Sequence, residues 1–314
     1  MVVGTIGTVD VRRIGSLEVS VVGLGCNNFG GRLDQDRTRR VVDAALDAGI
    51  TLLDTADMYG STRSEEFLGR ILEGRRDRVV LATKFGMRVD AARPGGADPA
   101  YIRRAVEESL QRLRTDRIDL YQLHQPDDAT PIEDTLATLD ELVTAGKVRE
   151  IGCSNFNAKQ LVAAQDAVRK GGASFVSVQN ELNLLDREDL DDGLAGAAEL
   201  GIAYIPFFPL ASGQLTGKYR RGEPLPEGTR IAGWGAERAG GVLTDATFDR
   251  IEALTAFAEA RGHRLLDLAF AWLLALRPVA SVIAGATSPE QVQANVAAGG
   301  WTLQADDLTA LASL

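Results

Sequence analysis

Four side chains in this sequence, Asp54, Tyr59, Lys84 and His124, are of the types needed to deliver a proton to a polarised oxygen. A free phenol has a pKa of about 10 and is a poor acid at neutral pH. A lysine ammonium beside it favours the phenolate and so lowers that value. Asp54 would hold the Lys84 ammonium through an ion pair, His124 would donate a hydrogen bond to a carbonyl oxygen, and Tyr59 would deliver the proton. None of the four can supply hydride, so a reduction here would need a cofactor. Each also has a structural reading: Asp54 as a turn cap, Lys84 as its ion-pair partner, Tyr59 as a rim residue, His124 as a satisfied core histidine. Their common position argues against that. All lie at the same end of apolar runs that neighbour one another along the chain, and Gln122, Ser154-Asn155 and Gln179-Asn180 end runs in the same way.

Those runs define the elements that must position the four. Apolar, β-branched stretches recur near Val19–Cys26, Ile50–Ala56, Val79–Phe85, Ile118–His124, Val148–Ser154, Phe175–Asn180, Ile202–Phe208 and Ser281–Gly285, eight in all. Helical spacing follows near Asp36–Ala48, Ser64–Gly74, Asp98–Leu113, Pro131–Ala145, Ala158–Gly171, Asp189–Leu200, Leu265–Leu276 and Ser288–Ala298. Pro99 after Asp98 suits a first helical turn. Ser64 with Glu65 and Glu66, and Ser288 with Glu290, set carboxylates at helix N-termini, and Gly49, Gly146, Gly171 and Gly201 are placed to end helices.

Alternation of this kind with apolar strands predicts an α/β fold with a parallel sheet buried on both faces. Eight even repeats favour closure into a (β/α)8 TIM barrel, with catalytic groups gathered where the strands end. An N-terminal hairpin over Asp10–Glu18 and extra C-terminal helices near Thr244–Gly262 and Gln304–Leu314 fit around it, and residues 1–314 read as a single domain. The rhythm breaks over Ala211–Gly241, a stretch rich in Gly, Pro and Arg. A loop that long usually has a function, such as a lid over a site. Gly86–Ala97 is a shorter loop of the same kind.

The chain has 314 residues, with 44 acidic against 34 basic side chains and a net charge of −10. Such an acidic body is repelled by phosphate backbones, which argues against nucleic acid as a partner. No stretch reaches the roughly 18 apolar residues that span a bilayer, and Leu268–Leu276 reads as a buried helix. Met1–Val11 lacks the basic start and apolar run of a secretory signal. Cys26 and Cys153 make no disulfide framework, so reduced thiols and a cytoplasmic location are expected, with no metal site.

The sequence resembles the aldo-keto reductases. The resemblance lies in Asp54-Thr55-Ala56-Asp57-Met58-Tyr59-Gly60 with Ser64-Glu65-Glu66, then Thr83-Lys84, Asp119-Leu120-Tyr121-Gln122-Leu123-His124 and Gly146-Lys147-Val148-Arg149. It continues through Ile151-Gly152-Cys153-Ser154-Asn155-Phe156, Gln179-Asn180, Pro209-Leu210 and Leu215-Thr216-Gly217-Lys218-Tyr219, ending with Gly285-Ala286-Thr287-Ser288-Pro289-Glu290-Gln291 and Asn295. Any one fragment alone is weak, but together they run in order through nearly the whole chain.

The resemblance implies a barrel oxidoreductase that transfers hydride from NADPH, in preference to NADH, to a small aldehyde or ketone. Asp54, Tyr59, Lys84 and His124 match the family's catalytic tetrad. Ser154, Asn155 and Gln179 match the positions that hold the nicotinamide carboxamide, and Phe207 the ring stacked on it. Pro209, Leu210, Gly213, Leu215 and Lys218 fall in the pyrophosphate segment, and Gly285, Thr287, Ser288, Gln291 and Asn295 at the adenosine end. There a helix N-terminus would face the 2′-phosphate. Met58, Phe85 and Trp234 would make the substrate pocket apolar, and loops near Phe29–Arg32, Phe85–Arg93, Asp127–Ala129 and the long insertion would line it. Phe208 stands where a serine commonly contacts the cofactor, and Thr287 where many relatives carry arginine or lysine. Two other readings are an NADPH-binding sensor or regulatory subunit, which has no need to keep Tyr59 and Lys84 together, and a Schiff-base lysine enzyme. The second is opposed by an aspartate that keeps Lys84 protonated.

Overall fold

The computed structural model describes residues 9–314. Residues 1–8, part of the stretch read above as lacking a secretory signal, lie outside the described residues. The chain opens with an antiparallel hairpin, β1 (Val11–Ile14) and β2 (Leu17–Ser20), in which Ile14 pairs with Leu17 across a tight turn. Eight parallel strands follow: β3 (Val22–Gly25), β4 (Leu52–Asp54), β5 (Val80–Phe85), β6 (Ile118–Leu123), β7 (Val148–Ser154), β8 (Phe175–Gln179), β9 (Ala203–Tyr204) and β10 (Val282–Gly285). They lie side by side in chain order, with β10 returning beside β3. The ring closes at Tyr204, whose N–H donates to the Pro278 carbonyl at 3.2 Å and whose carbonyl accepts from Ala280 N–H at 2.9 Å. This is the expected (β/α)8 barrel.

Eleven helices complete the described chain: α1 (Gln35–Asp47), α2 (Arg63–Ile71), α3 (Pro99–Leu113), α4 (Ile132–Thr144), α5 (Ala158–Asp166), α6 (Gly193–Leu200), α7 (Ala236–Val242), α8 (Asp245–Glu259), α9 (Leu265–Ala275), α10 (Pro289–Ala298) and α11 (Ala305–Ala312). Their starts are set by side chains that satisfy free backbone N–H groups. Asp98 accepts from Ala100 and Tyr101 at the head of α3, and Ser288 accepts from Gln291 at the head of α10. Helix α9 is apolar on every face, and Leu265 through Leu274 are all buried in it, as its composition led us to expect.

The strand period of two decides what faces the barrel axis. Leu52, Ala82 and Leu120 pack with Ile14, Leu17 and Val19 of the hairpin, which plugs the lower end with apolar side chains. Two residues on, the same strands present Asp54, Lys84 and Gln122, and β8 presents Gln179. A polar layer therefore sits directly above an apolar floor. The site's height in the barrel follows from that alternation.

Several boundaries differ from the sequence reading. Val19 and Ser20 belong to the hairpin rather than to the first barrel strand. The seventh strand, expected over Ile202–Phe208, keeps only Ala203–Tyr204, although Ile205 and Phe207 N–H still donate to Val178 and Asn180 beyond it, past Pro206, whose ring has no N–H to give. Helix α5 stops at Asp166, short of Gly171, and the segment Asp189–Leu200 divides into a 3-10 turn at Glu188–Asp191 and α6. Ser64 does not cap α2: Thr62 occupies that position, and the Ser64 hydroxyl lies 2.8 Å from that of Thr55 and donates to Cys26 O. The Ala211–Gly241 stretch holds short helical turns at Ala211–Thr216 and Ile231–Trp234, and α7 begins within it.

Candidate active site

Lys84, at the end of β5, is fully buried. Its Nζ donates to Asp54 Oδ2 at 2.6 Å, to the Thr55 carbonyl at 3.0 Å and to Tyr59 Oη at 3.4 Å. An ammonium has three protons, and all three are committed. The other Asp54 oxygen accepts from Gln122 Nε2 at 3.1 Å and Gln179 Nε2 at 2.9 Å. Burying two charges is costly unless both are paired and every remaining group is satisfied, and this network meets that condition. Burial alone would lower the Lys84 pKa, but the charge of Asp54 and the hydrogen bonds to Asp54 and Tyr59 help outweigh it and hold the ammonium above its ordinary value.

For Tyr59 the balance runs opposite to expectation. Burial raises the phenol, Lys84 pulls it down by less, and the net shift is upward. The reason is physical: enclosing an anion costs more here than one ammonium at 3.4 Å returns. Tyr59 is accordingly a loaded phenol at neutral pH. Its ring meets that of His124 edge-on at 5.9 Å between centroids. Burial and the nearby Lys84 ammonium push His124 down to about 3, so the imidazole is neutral. His124 N–H donates to Phe85 O, and its carbonyl accepts from Asn155 Nδ2 at 2.9 Å, which fixes the ring's backbone.

Asp54, Tyr59 and His124 open onto a cavity of about 910 Å³ at the C-terminal end of the strands. Met58, Ser154, Asn155, Gln179 and Phe207 line it near these three, and Pro209, Leu210, Gly213 and Lys218 form a second wall. Gly285, Thr287, Gln291 and Asn295 line the far end. Five site residues named from the sequence do not line it, Lys84 among them because it lies fully buried beneath Asp54 and Tyr59. Phe85 is turned outward onto Tyr121, centroids 4.6 Å apart, because Lys84 before it points inward. Trp234 packs with the lid residues Tyr219 and Ile231 and faces a neighbouring cavity beside Phe208. Leu215 is fully buried in the core. The Ser288 hydroxyl is spent on capping α10.

The sequence reading missed where the positive charge gathers. Arg32, in a loop read above as lining the pocket, and Arg230, in the long loop, line the cavity together with Lys218. Burial and the charges of Arg32 and Arg230 lower Lys218, and burial and Arg32 lower Arg230, as expected for cations crowded together. Arg32 donates to the Gly228 carbonyl at 2.8 Å, tying the first loop to the lid. Beside them the backbone is strained. Phe208, Ala211 and Ser212 have φ of 51°, 44° and 59°, values that non-glycine residues rarely adopt, followed by Gly213 at 95°. Within this turn Ala211 N–H donates to the Phe208 carbonyl at 2.9 Å and Gly213 N–H to that of Leu210 at 2.7 Å. No sequence signal marks either feature, since both exist only once the lid is folded over the barrel. The long cavity and clustered cations suit an elongated anionic cofactor. Among the described residues, no group of three or more His, Cys, Asp or Glu side chains is placed to hold a metal.

The protein is thus a (β/α)8 barrel whose polar strand-end side chains gather beside one long cavity. Residues 21–314 match the sequence profile of the Aldo/keto reductase family. The chain is 36% identical over 299 residues to the aldo-keto reductase YhdN of Bacillus subtilis, covering 93% of this chain and 88% of that one. It is 31% identical over 296 residues to the L-glyceraldehyde 3-phosphate reductase of Escherichia coli K12, covering 90% and 84%. Among solved structures, it resembles the holo form of aldo-keto reductase AKR11C1 from Bacillus halodurans with a TM-score of 0.79, at 33% identity and 97% and 96% coverage. It resembles the glycerol dehydrogenase AKR11B4 from Gluconobacter oxydans with a TM-score of 0.83, at 31% identity and 97% and 94% coverage. The protein belongs to the aldo/keto reductase family.

Proposed function

We propose that this protein reduces small aldehydes or ketones to alcohols with NADPH, with Tyr59 as the proton donor. The observation that carries the reading is the Lys84 ammonium, which spends one proton on Asp54, one on Thr55 O and one on a protonated phenol at the cavity floor. A bound dihydronicotinamide would supply hydride to the carbonyl carbon. The chain's own groups do the rest. Neutral His124 donates a hydrogen bond to the substrate oxygen and holds it beside Tyr59. As negative charge grows on that oxygen, the phenol gives up its proton, and the ammonium of Lys84 stabilises the phenolate left behind. Asp54 keeps Lys84 charged and in place throughout.

Ser154, Asn155 and Gln179 would hold the carboxamide, and Phe207 the nicotinamide face. The Pro209–Gly213 segment, which lines the cavity, would lie against the pyrophosphate. Thr287 carries no charge, and its N–H and hydroxyl already donate to Gln291 Oε1 at 2.8 and 3.2 Å. Preference for NADPH over NADH therefore rests on Arg32, Lys218 and Arg230, whose charge-assisted bonds are about twice as strong as neutral ones. The principal core runs from Val21 to Leu311, which supports reading residues 1–314 as one domain. Two buried, unpaired cysteines support a cytoplasmic setting. Incubation with NADPH and a panel of aldehydes is expected to consume the cofactor and yield the alcohol in equal amounts. NADPH binding with no aldehyde reduced would overturn the proposal in favour of a sensor.

A further inference from the structure

Asp57 precedes Tyr59 by two residues and is 3% exposed. Its N–H donates to the Lys84 carbonyl at 3.1 Å, so its segment is tied to both residues of the proton-donating pair. The charges of Glu65 on α2, Arg112 on α3 and Arg93 in the Gly86–Ala97 loop act on its carboxyl, which also accepts from Met58 N–H, and a charge on Asp57 would in turn raise the phenols of Tyr101 on α3 and Tyr121 on β6. Both guanidinium groups are committed elsewhere. Arg112 Nε donates to Glu65 Oε2 at 2.7 Å, and Arg93 pairs with Asp90. Glu65, itself fully buried, accepts a second bond from Thr83 Oγ1 at 2.6 Å. Two carboxyl groups thus share one enclosed region, and Glu65 holds its counter-charge. Among the described residues, Asp57 Oδ1 and Tyr121 Oη have no hydrogen-bond partner.

We infer that Asp57 is a positioning residue whose carboxyl must keep its proton for Tyr59 to hold its place against Lys84. An uncharged carboxyl tolerates this enclosure, but a carboxylate does not. Ionised, it relieves itself by turning residues 57–59 towards water. That movement opens a contact between Lys84 Nζ and Tyr59 Oη which at 3.4 Å has no slack. Burial first, and then the like charge of Glu65, push the Asp57 carboxyl up to about 8. The inference rests on the reading of Tyr59 as proton donor.

The folded value lies above the unfolded one of about 3.9. The associated stability is therefore complete below about pH 4 and is lost as pH rises through about 8. The test compares the full-length protein with Asp57→Asn, a neutral isostere, by aldehyde reduction and by thermal melting across pH. For the parent, kcat/KM is expected to fall above about pH 8, approaching tenfold per unit, and the melting temperature to decline from mildly acidic pH to there. In Asp57→Asn both changes should disappear, so that the variant melts higher than the parent at alkaline pH. A parent flat in both readouts, or a variant that keeps both declines, overturns the inference. Should no carbonyl be reduced at any pH, the proposed function fails, while the melting profiles still decide whether Asp57 carries the proton.

Discussion

At Lys84 three bonds leave no proton unassigned, so the residue cannot be lost without stranding its partner. In Lys84→Met the buried carboxylate of Asp54 would keep only two glutamine amides, and removing one partner of a buried pair costs about 3–5 kcal/mol. The expected outcome is a lower urea midpoint with an unchanged slope, together with loss of turnover. Unaltered stability would mean that Asp54 is satisfied without the ammonium. His124 makes a complementary point. Because burial and Lys84 hold it near 3, the imidazole should contribute no limb to the pH profile between about pH 5 and 7. The types and spacing of all four residues were legible in the sequence. The direction of the Tyr59 shift was not, because a neighbouring lysine can be read from sequence while the depth of enclosure cannot.

At the scale of elements, regular alternation was legible and the joints were not. Nothing in Val19-Ser20-Val21-Val22 separates hairpin from barrel, since one serine is the only interruption and the bend at Val21 uses no glycine or proline. The last strand pairing depends on Pro278 and Ala280, which lie far along the chain from Tyr204. One tight joint was visible in part. Gly60, beside Tyr59, has a φ of +59°, and a Cβ there would lie 2.5 Å from the Phe29 carbonyl, so only glycine lets these two loops meet. The lid hid its charge, because Arg230 sits in a segment without period and reaches the cavity only through folding. Arg230→Ala is expected to weaken NADPH binding by about 1.5–3 kcal/mol, the range for a bond to a charged group, and to affect NADH much less. Equal losses for both would assign the cations to the pyrophosphate and contradict their role in choosing the cofactor.

Across the whole molecule, the net charge of −10 makes a local concentration of cations at one end of the barrel conspicuous. The hairpin seals the other end with Ile14, Leu17 and Val19. The order of motifs along the chain was enough to read the barrel and the end where its site lies, because β4, β5, β6 and β8 each contribute a polar residue at the same height. What Asp57 and Glu65 do was hidden, since the charge balance between them is set by Arg112 on another helix. The account comes down to one hydroxyl, and Tyr59→Phe removes only that. Turnover with NADPH and an aldehyde is expected to fall by at least about 10²–10⁴-fold, the contribution of a positioned acid, while fluorescence titration finds NADPH bound as tightly as by the parent. A phenylalanine variant that still reduces the aldehyde at the parental rate would contradict the assignment of the proton donor.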